Sequence, residues 1–255
     1  MDEARDTDPG LQRPRAIYLL PNLFTTGGLF AGFFAIIAAS QGRFEAACVA
    51  IFVASILDGV DGRVARLTNT QSEFGVQYDS LADLISFGMA PALVMYHWAL
   101  STYRLDGITI GRIGWLAAFL YAACAALRLA RFNAQVAQVD KRWFVGLASP
   151  AAAGLMASFV WTAHDLGFVG RDLRHLALGI TVVAGLLMVS RLRYSSFKGG
   201  GGLSGERVPF WVMVLALLLL IALVLDPPRV LLGAAVLYAL SGPVAWAWRR
   251  RKRGA

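Results

Sequence analysis

The chain has 255 residues, 57% of them hydrophobic, with mean hydropathy +0.58 and a formal charge of +8. A soluble domain holds about 45–50% apolar residues. The excess here sits in long runs, and nothing from Trp211 to Leu225 is polar enough to form the outer face of a water-soluble helix, which excludes a soluble all-helical core. Cys48 and Cys124 both lie in apolar stretches; they form neither a zinc pattern nor a disulfide framework and read as small packing residues.

In chain order, residues 1–15 are polar, contain Pro9 and Pro14, and read as a flexible tail. The first apolar segment follows a mixed-charge start and leads straight into further spans, which predicts that it is retained rather than cleaved as a signal peptide. Hydropathy predicts helices near 17–40, 44–66, 75–99, 112–132, 147–164, 173–190, 209–225 and 230–247, on the scale of the about 20 apolar residues that cross a bilayer. The expected fold is an all-α integral membrane protein, a polytopic helical bundle of about eight transmembrane helices. Its parts are the tail, a membrane core over 16–190, a linker over 191–208, two further helices over 209–248 and a basic tail over 249–255. The linker's glycine-rich stretch, 198–205, lacks the G-x4-G-K-[ST] order of a phosphate loop.

Charge predicts orientation. With the N-terminus inside, only Arg43, Arg104, Arg112, Arg171, Arg174 and Arg229 of the 24 Lys and Arg fall on the far side. The positive-inside rule therefore places both termini in the cytoplasm, in agreement with an even number of spans. The basic run from Arg249 to Arg253 reads as a membrane anchor that attracts anionic headgroups, not as a nucleic-acid contact. His97, His164 and His175 fall near the far ends of spans and read as interfacial residues rather than metal ligands. Trp98, Trp115, Trp161 and Tyr103 read as an aromatic belt at the same interface.

The segment from Leu57 to Ser86 departs from this pattern. Asp58, Asp61, Asp79 and Asp83 lie within or at the ends of two otherwise apolar helices. A carboxylate at membrane depth costs about 2.5–3.5 kcal/mol on insertion scales, and Arg63 and Arg66 are too few to neutralise four. Asp58 and Asp61 are three apart and Asp79 and Asp83 four apart, so each pair shares a helix face. A short polar connection makes the two helices antiparallel neighbours, and all four carboxylates can converge. Hard oxygen ligands suit Mg²⁺ or Mn²⁺, and four carboxylates can hold two ions. Gly59, Gly62 and Ala65 on one helix, with Gly75 and Ala82 on the other, strip side chains from this region. They allow either close helix packing or a ligand lying against the backbone.

The residues read D58-x2-D61-G62-x2-A65-R66-x8-G75-x3-D79-x3-D83. This resembles the full signature of the CDP-alcohol phosphotransferase family, with every fixed position filled. The resemblance implies a six-helix catalytic core and a homodimer. It implies that Asp58, Asp61 and Asp79 are metal ligands and that Asp83 is both a metal neighbour and the general base. It implies that Gly62, Ala65, Arg66 and Gly75 line a CDP pocket, with Arg66 meeting a phosphate. The segment 20–26 (LPNLFTT) resembles the family's entry to its first helix, which implies that Asn22 and Thr25 face the nucleotide.

Segment 128–133 (RLARFN), followed by 146–153 (GLASPAAA), resembles the phosphatidylserine synthases of that family. Ala148 stands where those proteins often carry proline. The resemblance implies CDP-diacylglycerol as donor, L-serine as acceptor, and a bacterial or archaeal cell membrane as the location. Arg128, Arg131 and Asn133 would then recognise an anion, either the donor's phosphate or the carboxylate of serine, for which arginine supplies bidentate hydrogen bonds. Alternative acceptors within the family are glycerol 3-phosphate, inositol phosphate and choline. From a different class, a cation transporter would place its aspartates near the bilayer middle and show paired internal repeats; here the aspartates gather at one end and no repeat is visible. A structural scaffold leaves four buried carboxylates unexplained.

Overall fold

The computed structural model describes residues 16–68, 72–135, 143–195 and 210–253. The N-terminal tail, most of the glycine-rich linker and part of the loop after residue 135 lie outside the described residues. The elements are α1 (Ala16–Ser40), α2 (Phe44–Leu67), α3 (Glu73–Asp83), a π-helical turn (Leu84–Met89), α4 (Ala90–Trp98), a 3₁₀ segment (Leu100–Asp106), α5 (Ile108–Gln135), β1 (Trp143–Val145), α6 (Ser149–Asp165), α7 (Arg174–Val189), β2 (Arg193–Ser195), α8 (Phe210–Leu225) and α9 (Pro227–Arg253). The eight expected helical segments are all present, the third being broken into α3, the π turn and α4. Among the described residues, α1, α5 and α9 are long and apolar enough to cross a bilayer singly, and the third segment with its 3₁₀ extension, bent by 42°, makes a fourth. The last turns of α2 carry Asp58, Asp61, Arg63 and Arg66, which dilutes that helix's hydropathy.

Lipid offers apolar side chains no gain from burial, so membrane helices associate through close packing of small residues. The core is built that way. Ala31, Ala35, Ala38 and Ala39 of α1 and Ala47, Cys48, Ala50 and Ala54 of α2 are buried, as are Ala152, Ala153 and Ala157 of α6. Both cysteines are buried and unlinked. Large apolar side chains instead face outward: Phe30, Phe33, Phe119 and Leu127 are each more than half exposed, and α8 buries none of its residues. An apolar exterior around a small-residue interior is the surface of an integral membrane protein.

The π turn follows Asp83 directly. π turns occur mostly as single bulges within α-helices, frequently at functional sites. Here the turn carries Ser86, which is buried and donates to the Gly28 carbonyl of α1 at 3.0 Å. A Cβ at Gly32 would stand 2.7 Å from the Ser86 Cα, so glycine is what lets α1 approach the bulge.

Three features differ from the hydropathy reading. First, Trp98 and Tyr103 are core residues rather than interfacial ones. Trp98 packs edge-on against Phe159, and Tyr103 shares a 2.8 Å hydrogen bond with His175 while Arg174 lies 4.9 Å from its ring centre and pairs with Asp106 at 2.5 Å. Trp161 is half-buried against Phe52, and only Trp115 keeps the large exposure of a belt residue. Second, β1 and β2 pair antiparallel, Phe144 opposite Tyr194, adding a short ladder to the helical bundle. Third, α9 is continuous through the basic run to Arg253, with Arg250 5.3 Å from the Trp246 ring centre and Lys252 4.2 Å from that of Trp248.

α9 packs along α6 and receives β2. The Tyr194 hydroxyl donates to the Ala239 carbonyl at 3.1 Å, and Gly242 lies under the Tyr194 ring, where a Cβ would be 2.4 Å from it. Burial pushes the Tyr194 phenol up to about 12, so it stays a donor at neutral pH. At the opposite end Arg229 pairs with Asp165 at 3.1 Å and with Asp226, tying the α8–α9 turn to the end of α6.

Candidate active site

The site forms where the last turns of α2 meet α3 against α1. Ser72 starts α3 by accepting from the Gly75 amide at 3.0 Å, the N-cap bond that serine typically makes. This sets the helix phase, so Asp79 and Asp83 turn toward α2. Asp58, Asp61 and Asp79 each place a carboxylate oxygen within 4.8 Å of the others, with Asp61 buried and the other two half-buried. Asp83 stands outside that trio but lines the same cleft, together with Thr25, Gly28, Ala54, Ala82, Ser86 and Phe87.

Like charges this close in a partly dry site repel, and a bound cation relieves the repulsion. Three converging carboxylates are a hard-oxygen donor set of the kind that binds Mg²⁺, Mn²⁺ or Ca²⁺. The residues present therefore fit a divalent metal.

Thr25 contributes in a way the sequence did not suggest. Its hydroxyl lies 2.7 Å from Asp61 Oδ2 and 3.2 Å from the Pro21 carbonyl, which fixes one carboxylate oxygen in place. One residue on, Thr26 shares a 2.9 Å hydrogen bond with Tyr78 across the α1–α3 contact. Asn22 is half-buried, and its Oδ1 would lie 3.6 Å from a Cβ at Gly75; these two residues meet beside the cleft rather than in it.

Gly59 and Gly62 separate the two explanations for the small residues. A Cβ at either would meet nothing within 4 Å, so none of the described helices packs closely there. The bare backbone beside Asp58 and Asp61 is open, the arrangement that admits a ligand. Ala65 is half-buried and Arg66 exposed, and Arg66 folds back to donate Nε–H to the Gly62 carbonyl at 2.8 Å.

α5 adds the remaining groups. Arg128 donates to the Ser149 hydroxyl at 2.7 Å. Asn133 belongs to the last turn of α5 rather than to a loop, because the helix runs on to Gln135. Its amide donates to the Ser80 hydroxyl at 3.0 Å, holding α5 against the helix that carries Asp79 and Asp83. Arg131 is half-buried on the same stretch. His97, His164 and His175 lie at the other end of the bundle, away from the aspartates.

The sequence matches the family model described as CDP-alcohol phosphatidyltransferase over residues 18–241, a range that reaches well into α9. It is 40% identical over 233 residues to the CDP-diacylglycerol–serine O-phosphatidyltransferase of Helicobacter pylori strain J99, covering 90% of this chain and 92% of that protein. It is 32% identical over 179 residues to the Bacillus subtilis protein of the same name, covering 70% and 91%. It is 34% identical over 184 residues to the archaetidylserine synthase of Methanothermobacter thermautotrophicus, covering 71% and 72%. With the aspartate signature in one cleft and the family match running through nearly the whole chain, this protein belongs to the CDP-alcohol phosphatidyltransferase family.

Proposed function

We propose that this protein transfers the phosphatidyl group of CDP-diacylglycerol to the hydroxyl of L-serine, giving phosphatidylserine and CMP. The observation that carries this reading is the gathering of Asp58, Asp61 and Asp79 in one cleft with Asp83. The acceptor is read from the relatives. Their names share serine while their lipids differ, phosphatidyl in two and archaetidyl in the third. What this chain has in common with all three therefore concerns the head of the reaction rather than the hydrocarbon.

Asp58, Asp61 and Asp79 would hold the divalent metal, Mg²⁺ or Mn²⁺, with Asp83 at the edge of the set, and four carboxylates suffice for two ions. Bound there, the metal supplies positive charge against the donor's pyrophosphate and against the charge that develops on departing CMP. Thr25 keeps Asp61 aimed at that position. The open backbone at Gly59 and Gly62 is where the nucleotide lies, with Asn22, Ala65, Arg66 and Gly75 bordering it. Asp83 accepts the proton of the serine hydroxyl. That oxygen forms its bond to the phosphorus carrying diacylglycerol as the bond from phosphorus to the bridging oxygen of CMP breaks. Arg128, Arg131 and Asn133 orient the anionic part of a substrate.

In the same reading the eight helical segments span the membrane and the enzyme works as a homodimer. The aspartate end is cytoplasmic, supported by the basic residues gathered there, Arg63, Arg66, Arg131, Arg191 and the run 249–253. Trp246 and Trp248 beneath Arg250 and Lys252 fit an anchor at the headgroup level.

The test is an acceptor panel. Purified protein in mixed micelles with CDP-diacylglycerol and Mn²⁺ is expected to release CMP on addition of L-serine and to form phosphatidylserine. Glycerol 3-phosphate, inositol phosphate and choline are expected to give less than a hundredth of that rate. Turnover with one of those three in place of serine would move the protein to a different activity within the family.

A further inference from the structure

From Glu73 to Trp98 the chain is one helical run, interrupted only by the π turn between Asp83 and Ala90. There the Ala90 amide donates to the Ile85 carbonyl, five residues back instead of four. A π turn of this kind holds one residue more than an α-helical turn. An α-helix advances about 100° per residue. One extra residue therefore rotates everything before it by about 100° relative to everything after it.

The rotation decides where the carboxylates point. α4 buries Pro91, Met95 and Trp98 on one face. Counted back along an uninterrupted α-helix, that face passes through Leu84 and Ser80 and leaves Asp83 and Asp79 about 100° to one side. With the extra residue, Asp83 and Asp79 take those places. Burial obeys the rotated phase: an uninterrupted helix would turn Ala82 away from the packed face, yet Ala82 is 5% exposed, while its neighbour Leu81 is 62% exposed.

π turns are rare, and this one is gripped from two sides. On α1, the Gly28 carbonyl accepts from Ser86 Oγ at 3.0 Å. On α5, the fully buried Tyr121 donates its hydroxyl to the Phe87 carbonyl at 3.1 Å. In the α-helical register that carbonyl would look to residue 91, and Pro91 has no N–H to give. A Cβ at Gly88 would stand 3.2 Å from Ala125 Cβ, so α5 closes on the turn as α1 does. Tyr121 is not among the residues that line the cleft; it reaches the aspartates only through the helix backbone.

We infer that Tyr121 and Ser86 are positioning residues that hold the π turn, and that the π turn sets Asp79 and Asp83 in phase with the cleft. This inference rests on the metal-centre reading given above.

The experiment measures two things on the full-length protein in micelles, Mn²⁺ affinity by electron paramagnetic resonance and thermal unfolding without metal. The proteins are wild type, Tyr121→Phe, Tyr121→Phe combined with Pro91→Ala, Ser86→Ala, and a chain lacking Gly88. Tyr121→Phe leaves the Phe87 carbonyl without its donor. It is expected to lower the unfolding temperature and to weaken Mn²⁺ binding about tenfold, the scale of a buried polar group left unpaired. Adding Pro91→Ala returns an N–H to that carbonyl in the α-helical register. The double variant is expected to regain unfolding temperature while Mn²⁺ binding stays at least tenfold weak, because the turn is drawn toward an α-helix and the aspartates rotate away. Recovery of both together would make Tyr121 a structural residue only and overturn the inference. Ser86→Ala is expected to weaken Mn²⁺ binding severalfold, and unchanged affinity would strike Ser86 from the assignment. Deleting Gly88 removes the extra residue and is expected to abolish saturable Mn²⁺ binding in a protein that still unfolds cooperatively. Wild-type affinity in that chain would overturn the inference. Should the deletion not fold, the two Tyr121 variants still decide. A wild-type protein that binds no Mn²⁺ would fail the metal-centre reading instead, before any variant is measured.

Discussion

Asp83→Asn is expected to lower the rate of phosphatidylserine formation by about 10²–10⁴-fold, the usual contribution of a positioned general base, while leaving the folded protein and its metal binding intact. Asparagine keeps the size and one oxygen of the side chain but cannot take a proton from the serine hydroxyl. The separation of effects follows from geometry. Asp83 lines the cleft yet stands outside the group of three carboxylates whose oxygens lie within 4.8 Å of one another. Its backbone is secured independently by the junction of α3 with the π turn, where buried Ser86 bonds to α1. The measurement is CMP release in parallel with thermal unfolding in detergent. A variant that turns over at the wild-type rate would take the proton-transfer role away from Asp83.

Replacing a member of the trio is expected to do more damage of a different kind. Asp79→Asn removes one of three converging carboxylates and with it much of the charge that holds the cation, so turnover is expected to fall by about 10³-fold or more. Asp61→Asn is expected to match it. The neutral amide oxygen also accepts from the Thr25 hydroxyl less strongly than a carboxylate oxygen does, so the 2.7 Å bond that aims Asp61 is weakened. EDTA is expected to abolish wild-type activity and added Mn²⁺ to restore it, whereas the same Mn²⁺ concentration is expected to leave Asp79→Asn inactive. Activity that survives EDTA would argue against a metal-assisted displacement.

Much of this site is legible in the sequence because its signals are local. Hydropathy marks helices one at a time, and carboxylates spaced three or four residues apart share a face whatever the surrounding fold. The short stretch between α2 and α3 brings their aspartate-bearing ends together, although the two helices pack chiefly on α1 rather than on each other. What the sequence does not expose are partners distant along the chain. Thr25 and Asp61 are 36 residues apart, and Ser86 and Gly28 are 58 apart. Arg128 meets Ser149 across the β1 loop, and Tyr194 meets Ala239 of the last helix.

The same limit explains Trp98 and Tyr103. Their place near a helix end suggests a membrane interface, but burial depends on which helices surround them, here including α6 through Phe159 and the start of α7 through His175. The π turn has a local mark, Gly88 within it and Pro91 just beyond, whose missing N–H leaves the Phe87 carbonyl to the Tyr121 hydroxyl, but its contacts with α1 at Gly28 and Gly32 join residues distant along the chain. Gly59 and Gly62 sit between these cases. Their composition raises a choice between packing and ligand, and the open space above them among the described residues speaks against packing within the chain.

We place a metal centre at the aspartate cluster of α2 and α3, with Asp83 as its neighbouring base. Its most direct test is Mn²⁺ titration of the purified protein followed by electron paramagnetic resonance, comparing wild type with Asp61→Asn, Asp79→Asn and Asp83→Asn. Saturable Mn²⁺ binding is expected in wild type and in Asp83→Asn, and its loss or a weakening of at least tenfold in the other two. Equal Mn²⁺ binding by all four proteins would contradict the account.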